Sequence, residues 1–474
     1  MTITTDPRLR HAFPLIALVS LNACAPSLAT QVASVRSLAG APVLAALRED
    51  HVDAQTERNA AKLLAQPLDA DAAVRIALLN NRELRAQLRE LGVPAGRLVS
   101  ASLIDNPTLE IELLPERDSR YELRAEYDLS SLILAPLRRG VAYAELEAAR
   151  LRVASEVVDL GFEVRTRFYA LQATTERLRL SQQALDTLAA SRDAVQALAS
   201  AGNIRQLDAA SNIAAYERAR AEVAQLELVL AEQRERLQRA LGLHGDQTQW
   251  QIKEALMDAP ERSELDVAAE RQALEANLDL QALRKQLEAL AKRSGLVRTE
   301  GLLPELAADV HALRTKPEEG RTSDAWLWGA GLSVRVPLFD RGQGELQSVE
   351  AQFDATLERY HGTAIDVRSA ARDARNRLSS AHARALQYQN VILPAQREVM
   401  QQTLLQYNAM QLGVFQLLGA RRELLNVELA YVDTLRDYWT ARAEQDALLQ
   451  GRVVGASAAT PSTITASADA EAGH

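Results

Sequence analysis

Two spacings of apolar residues take turns along this chain. From Ala325 onward every second residue is apolar: Trp326, Trp328, Ala330, Leu332, Val334 and Val336 fall on one side, Leu327, Gly329, Gly331, Ser333 and Arg335 on the other. A period of two is that of a β-strand with unlike faces. Pro337 closes the alternation, and after Asp340-Arg341-Gly342 the spacing becomes helical to about Ala409, with mild breaks at Gly362 and Pro394. The same change of period occurs once before. Leu109, Ile111 and Leu113 alternate with Thr108, Glu110 and Glu112; a polar turn covers residues 115–119; then Tyr121, Leu123, Ala125, Tyr127 and Leu129 alternate with Glu122, Arg124, Glu126 and Asp128. Beyond Pro136 a helix is predicted from Arg138-Arg139-Gly140 to about Ser200. In it Leu146, Val153 and Leu160 recur every seventh residue, as do Val157, Val164, Leu171, Leu178 and Leu185. Such a seam calls for packing against neighbouring helices.

The pattern predicts strands at about 107–115, 120–134, 304–314 and 324–338. Ala308, Val310 and Ala312 set against Asp309 and His311 carry the third. Pro136 and Pro337 remove a ladder donor at the end of each hairpin, and Gly140 and Gly342 let the chain turn into the helix that follows. A helix over 69–102 is expected to end or kink at Pro94. Gly202 is expected to cap the first long helix, with a return helix over 206–241; a break at 410–413 separates the last two helices. The plan is duplicated. Ala77-Leu78-Leu79-Asn80-Asn81-Arg82-Glu83-Leu84 corresponds to Ala273-Leu274-Glu275-Ala276-Asn277-Leu278-Asp279-Leu280, and the two halves cover 68–245 and 246–451.

Composition fits this reading. The chain has 474 residues, 4 % of them aromatic, which suits long helices better than a large globular core. A net charge of −9 gives no basic footprint, so nucleic acid is not an expected partner. No apolar run reaches the roughly 18 residues of a spanning helix, so a membrane would have to be crossed by strands. Four strands cannot close a barrel, for which about eight are needed, and oligomerisation would follow. Seven scattered histidines, no HExxH, no GxSxG and no phosphate-cradling glycine loop leave no expected enzyme, cofactor or metal site.

Residues 1–23 read as an export signal, with Arg8 and Arg10 ahead of the apolar run 12–21. Leu21-Asn22-Ala23-Cys24 resembles a lipobox, so Cys24, the single cysteine, is the expected site of lipidation. Residues 24–67 form a polar leader with short helical patches at most, and 452–474 an Ala/Ser/Thr-rich disordered tail.

Four stretches then carry a resemblance to a known family: Ala77-Leu78 with Asn81, Leu84 and Pro107; Gly202-Asn203-Ile204 with Leu207-Asp208; the run from Leu332 to Gly342; and Tyr407 with Leu417-Leu418. Together, on a duplicated plan, they resemble the TolC-like outer-membrane efflux family in its lipoprotein branch, over about residues 68–451. The resemblance implies a mainly α protein whose trimer forms a twelve-stranded outer-membrane β-barrel and a periplasmic helical tunnel. It implies a passive exit duct in a Gram-negative outer membrane, served by a periplasmic adaptor and an inner-membrane RND or ABC pump. It also places adaptor contact and closure at the two helical turns. Gly202, Asp208, Tyr407, Met410, Gly413 and Gln416 are the corresponding residues here. Gln416 and Gly419 stand where some members place aspartates, and Met410 where glycine is frequent. The alternatives are a type I protein-secretion duct and, in another class, a periplasmic coiled-coil scaffold lipoprotein. Cargo is not legible.

Overall fold

The computed structural model describes residues 28–39, 60–114, 120–202, 204–253, 256–262, 269–315 and 325–454. Helices α1 (Leu28–Leu38), α2 (Ala70–Asn80), α3 (Arg82–Glu90) and α4 (Gly92–Ser102) precede the strands β1 (Thr108–Leu114) and β2 (Arg120–Asp128). Next come α5 (Leu129–Ser200) and α6 (Gln206–Leu241). The second half repeats the order with α7 (Ala269–Ala276), α8 (Leu278–Leu302), β3 (Glu305–Thr315), β4 (Ala325–Arg335), α9 (Gln343–Gln387), α10 (Leu393–Asn408) and α11 (Val414–Leu449). Among the described residues no helix is long and apolar enough to cross a membrane.

The chain divides into two compact units. One holds Val93–Tyr143 and Lys292–Leu346. Its two hairpins join into one antiparallel sheet in the order β1-β2-β3-β4. In the middle of the sheet the register keeps like with like across all four strands. One row runs Ile111, Leu123, Ala312, Trp328, and the next runs Glu110, Arg124, His311, Gly329. Each row lies on one face because side chains alternate along a strand. The apolar face is open: Ile111 is 69 % and Trp328 75 % exposed.

Some boundaries differ from the sequence expectation. Strand β2 ends at Asp128, not near 134, and α5 starts at once. The cause is a local cap: Asp128 Oδ1 accepts the Ser130 N–H at 2.9 Å, and Ser131 Oγ donates to the Asp128 carbonyl at 2.8 Å. Pro136 and Gly140 therefore lie inside α5, and neither marks a junction. The expected helix over 69–102 is three helices, broken at Asn81 and Leu91. Pro94 is the third residue of α4, where a missing N–H costs no intrahelical bond.

The other unit comprises Leu28–Gly92, Ala144–Ala291 and the chain from Gln347 on. Its core takes Val157, Val164 and Leu171 from the heptad seam of α5 and sets them with Ile76, Leu237 and Leu278. Further along the seam Leu178 and Leu185 are only half-buried, and Ala173 and Leu180 take over in a separate cluster. The leader contributes more than a polar linker would: Val32 and Val35 of α1 are fully buried in this core.

The duplication is visible as two matching locks. Asn81 and Asn277 each cap a helix, accepting the N–H of Leu84 at 3.0 Å and of Leu280 at 2.8 Å. Against each cap lies a glycine with positive φ, Gly242 at 68° and Gly451 at 94°. A Cβ there would sit 2.6 Å from the Asn80 carbonyl oxygen in one half and 2.2 Å from that of Ala276 in the other. Arg452, next to the second lock, pairs with Asp159 at 2.7 Å and with Asp279.

Gly362 leaves α9 unbroken. The break falls at a π-turn, Tyr388–Ile392, directly before Pro394, which has no N–H to give the preceding turn.

Candidate functional site

The polar face of the sheet is built around two missing side chains. A Cβ on Gly329 would lie 2.3 Å from His311 Nε2, and one on Gly331 2.2 Å from Asp309 Oδ1. These glycines make room for His311 and Asp309 to lie over β4, where His311 Nδ1 and Asp309 Oδ2 are 3.0 Å apart. Arg124 donates to Glu122 at 3.0 Å, and Arg335 pairs with its register partner Glu305 at 2.8 Å. Glycine inside a strand is a signal of close approach that sequence reading could have used.

The junction after β4 is the turn that Pro337 and Gly342 predict, with a second glycine added. Gly342 has φ 75°, its N–H donates to Asp340 Oδ1 at 2.9 Å, and its carbonyl accepts the Leu346 N–H at 2.8 Å. Gly301 of α8 abuts this turn: a Cβ there would be 2.0 Å from the Arg341 carbonyl oxygen. Nothing local in the sequence marks Gly301, because the contact joins segments 40 residues apart. In the same unit Arg293 pairs with Glu345 at 3.1 Å, while burial and the charge of Glu345 push the Glu300 carboxyl up from its ordinary range.

The two helical turns belong to the other unit. Gly202 has φ 73°, as its capping role requires. Asp208 sits in the first turn of α6 and receives Arg205 Nε at 2.9 Å. Its carbonyl accepts Asn212 Nδ2 at 3.0 Å. Asp208, Asn212 and Arg218 line a cavity of about 480 Å³ together with Gly419, Arg421 and Arg422 of α11.

At the second turn the N–H of Met410 donates to the Tyr407 carbonyl at 2.9 Å and that of Gln411 to the Gln406 carbonyl at 2.9 Å. This Schellman pattern recurs at Gly242 and Gly451. Met410, however, is not glycine. Its φ is 61°, which costs a residue with a Cβ about 1–2 kcal/mol. Its side chain is 94 % exposed. Gly413 is extended at φ −82° and ψ 165° and caps α11, with Gln416 folded back over it.

Among the described residues no group of three His, Cys, Asp or Glu side chains could hold a metal ion. Cys24, the turns 115–119 and 316–324, Asn203 and the tail beyond 454 lie outside the described residues.

Comparison with known proteins bears on the whole plan. Residues 270–449 match the family model "Outer membrane efflux protein". The cobalt-zinc-cadmium resistance protein CzcC of Cupriavidus metallidurans is 26 % identical over 397 residues, covering 81 % of this chain and 90 % of that protein. The solved outer-membrane channel OprN superposes with a TM-score of 0.66 at 21 % identity, over 82 % of this chain and 91 % of its own. The outer-membrane channel CmeC of Campylobacter jejuni gives 0.66 at 13 % identity, over 81 % and 85 %. The second half of the plan thus carries the outer membrane efflux protein model, and the fold over most of the chain is that of solved outer-membrane channels.

Proposed function

We propose that this chain is the outer-membrane exit duct of a tripartite efflux system, passively conducting what an inner-membrane pump and a periplasmic adaptor deliver. The observation that carries the reading is the sheet: four strands, one face apolar and exposed, the other polar. In water an open apolar face is a liability; against lipid it is a requirement. Strands β1 and β4 each have one neighbour in the sheet, so a trimer would close twelve strands into a barrel. Arg314 lies over Trp326 at 5.9 Å, beside Trp328, as an aromatic girdle at a lipid interface would have it. A coiled-coil scaffold has no use for such a sheet.

The finer features follow as parts of the same proposal. Cys24 carries the lipid anchor. Gly202, Asp208, Tyr407, Met410, Gly413 and Gln416 form the periplasmic entrance, where the adaptor of an RND or ABC pump docks. The matched relative is named for cobalt, zinc and cadmium resistance, and divalent metal cations are the cargo class we carry forward. The polar face supports it: Glu110, Glu112, Glu122, Glu126, Asp128 and Asp309 outnumber Arg124 and Arg335.

The test is reconstitution of the trimer in a planar lipid bilayer under a KCl gradient. Pores with cation-over-anion selectivity are expected. Anion selectivity would overturn the assignment of the polar face to the lumen; a preparation that stays soluble, forms no heat-modifiable trimer and makes no pores would overturn the duct itself.

A further inference from the structure

We infer that the lipid-facing surface continues past the strands onto the helices joined to β2 and β3, so that Leu132, Ile133 and Leu137 of α5 and Leu302 of α8 lie against acyl chains of the periplasmic leaflet. This rests on the exit-duct reading above and sets where its membrane ends.

The start of α5 is inside out. Residues 129–137 include no Asp, Glu, Lys, Arg or His. Ser130 and Ser131 are buried, whereas Leu132, Ile133 and Leu137 are exposed. Together with Pro136 these three recur at the spacing of one helix face. The backbone suits hydrocarbon as well. Lipid tolerates no irregular exposed chain, because unpaired N–H and C=O groups find no water there. Strand β2 passes into α5 with no residue between, and Asp128 takes the Ser130 N–H.

The register gives the depth. Asp128, the last residue of β2, stands beside Ala307 and through it Ser333, while β4 runs two residues further, to Arg335. Two strand residues rise about 7 Å and one helical turn about 5 Å. The first turn of α5 is therefore level with Leu306 and Val334, and the Leu306 N–H donates to Ser130 Oγ at 3.4 Å. By the alternation of β3 and β4, Leu306 and Val334 belong to the apolar face. Leu132 and Ile133 supply on the helix the apolar height that β2 leaves short.

Topology selects lipid over another copy of the chain. Strands β2 and β3 are the inner strands of the sheet, and copies would meet along β1 and β4. Helix α5 hangs from β2, away from both edges, which leaves lumen or lipid for its exposed stripe. A charge-free apolar stripe is a liability in a wet lumen and suited to lipid. Helix α8, which leads into β3, ends in the same way at Leu302, 76 % exposed.

Nitroxide labels on Ile133→Cys and Leu302→Cys test this, in the full-length trimer reconstituted in vesicles of phosphatidylethanolamine and phosphatidylglycerol. Trp328→Cys on the strand face is the lipid reference, and Arg205→Cys, at an exposed helical turn, the water reference. The wild-type chain carried through labelling gives the background from Cys24. Relaxation by oxygen, which concentrates in hydrocarbon, is compared with relaxation by a nickel chelate, which stays in water. The oxygen-to-nickel ratio at 133 and 302 is expected to match that at 328 and to exceed that at 205 severalfold. A ratio like that at 205 overturns the inference. So does protection from both reagents, which would mean that protein covers the stripe. In either case position 328 still reads lipid and the duct reading stands. Nickel access at 328 itself takes the duct reading down, and the inference with it.

Discussion

Gly301 shows what a single missing methyl can hold in place. Its Cα lies against the Arg341 carbonyl, and a Cβ would come within 2.0 Å of that oxygen. Backbone cannot swing aside as a side-chain tip can, so Gly301→Ala is expected to destabilise the protein by about 1–3 kcal/mol. Gly295→Ala, on the same helix with nothing within 4 Å of its Cβ, is expected to gain up to about 1 kcal/mol. Thermal melting of the two purified variants side by side checks the pair; equal shifts would mean that Gly301 has no special role. At this scale legibility depends on locality. Gly202 was readable because its role is set by the helix it ends. Gly301, Gly329 and Gly331 were not singled out, because what each makes room for comes from a distant segment or a neighbouring strand.

Among the elements, the periods of the pattern gave α6 and the end of α5 at Ser200 directly, and strand existence in all four cases. Starts were harder. The Asp128 cap begins α5 before the proline that appeared to end the strand, and polar caps compete with apolar alternation at just such places. The helix α1 was hidden by its composition: Val32 and Val35 are too few to show a stripe, yet both are buried. The segment after α11 is held partly by charge. Arg452 reaches Asp159 on α5 and Asp279 at the start of α8, and the Leu278 N–H donates to the Gly451 carbonyl at 2.8 Å. Arg452→Met leaves two half-buried carboxylates without their cation, at a cost of about 1–3 kcal/mol, between the ranges for exposed and buried pairs. Hydrogen exchange should then quicken at Leu278 while amides of β1–β4 keep their rates. Uniform quickening would point to global unfolding instead.

For the molecule as a whole, the duplication was legible from the match of residues 77–84 with 273–280, and the structure gives it a physical meaning in the two asparagine–glycine locks. The junctions, by contrast, have parted: one is an immediate Asp128 cap, the other a turn through Gly342 against Gly301. That asymmetry has a consequence for tolerance to change. In a saturation library selected for assembled protein, variants at Asn81, Gly242, Asn277 and Gly451 should be depleted as a set. Gly140, whose Cβ would make only an ordinary 3.6 Å contact with Lys292, should accept alanine freely. The map of intolerant positions would thus repeat itself once along the chain at the locks and fail to repeat at the junctions, an imprint of which parts of an ancestral half could not be altered when it was copied.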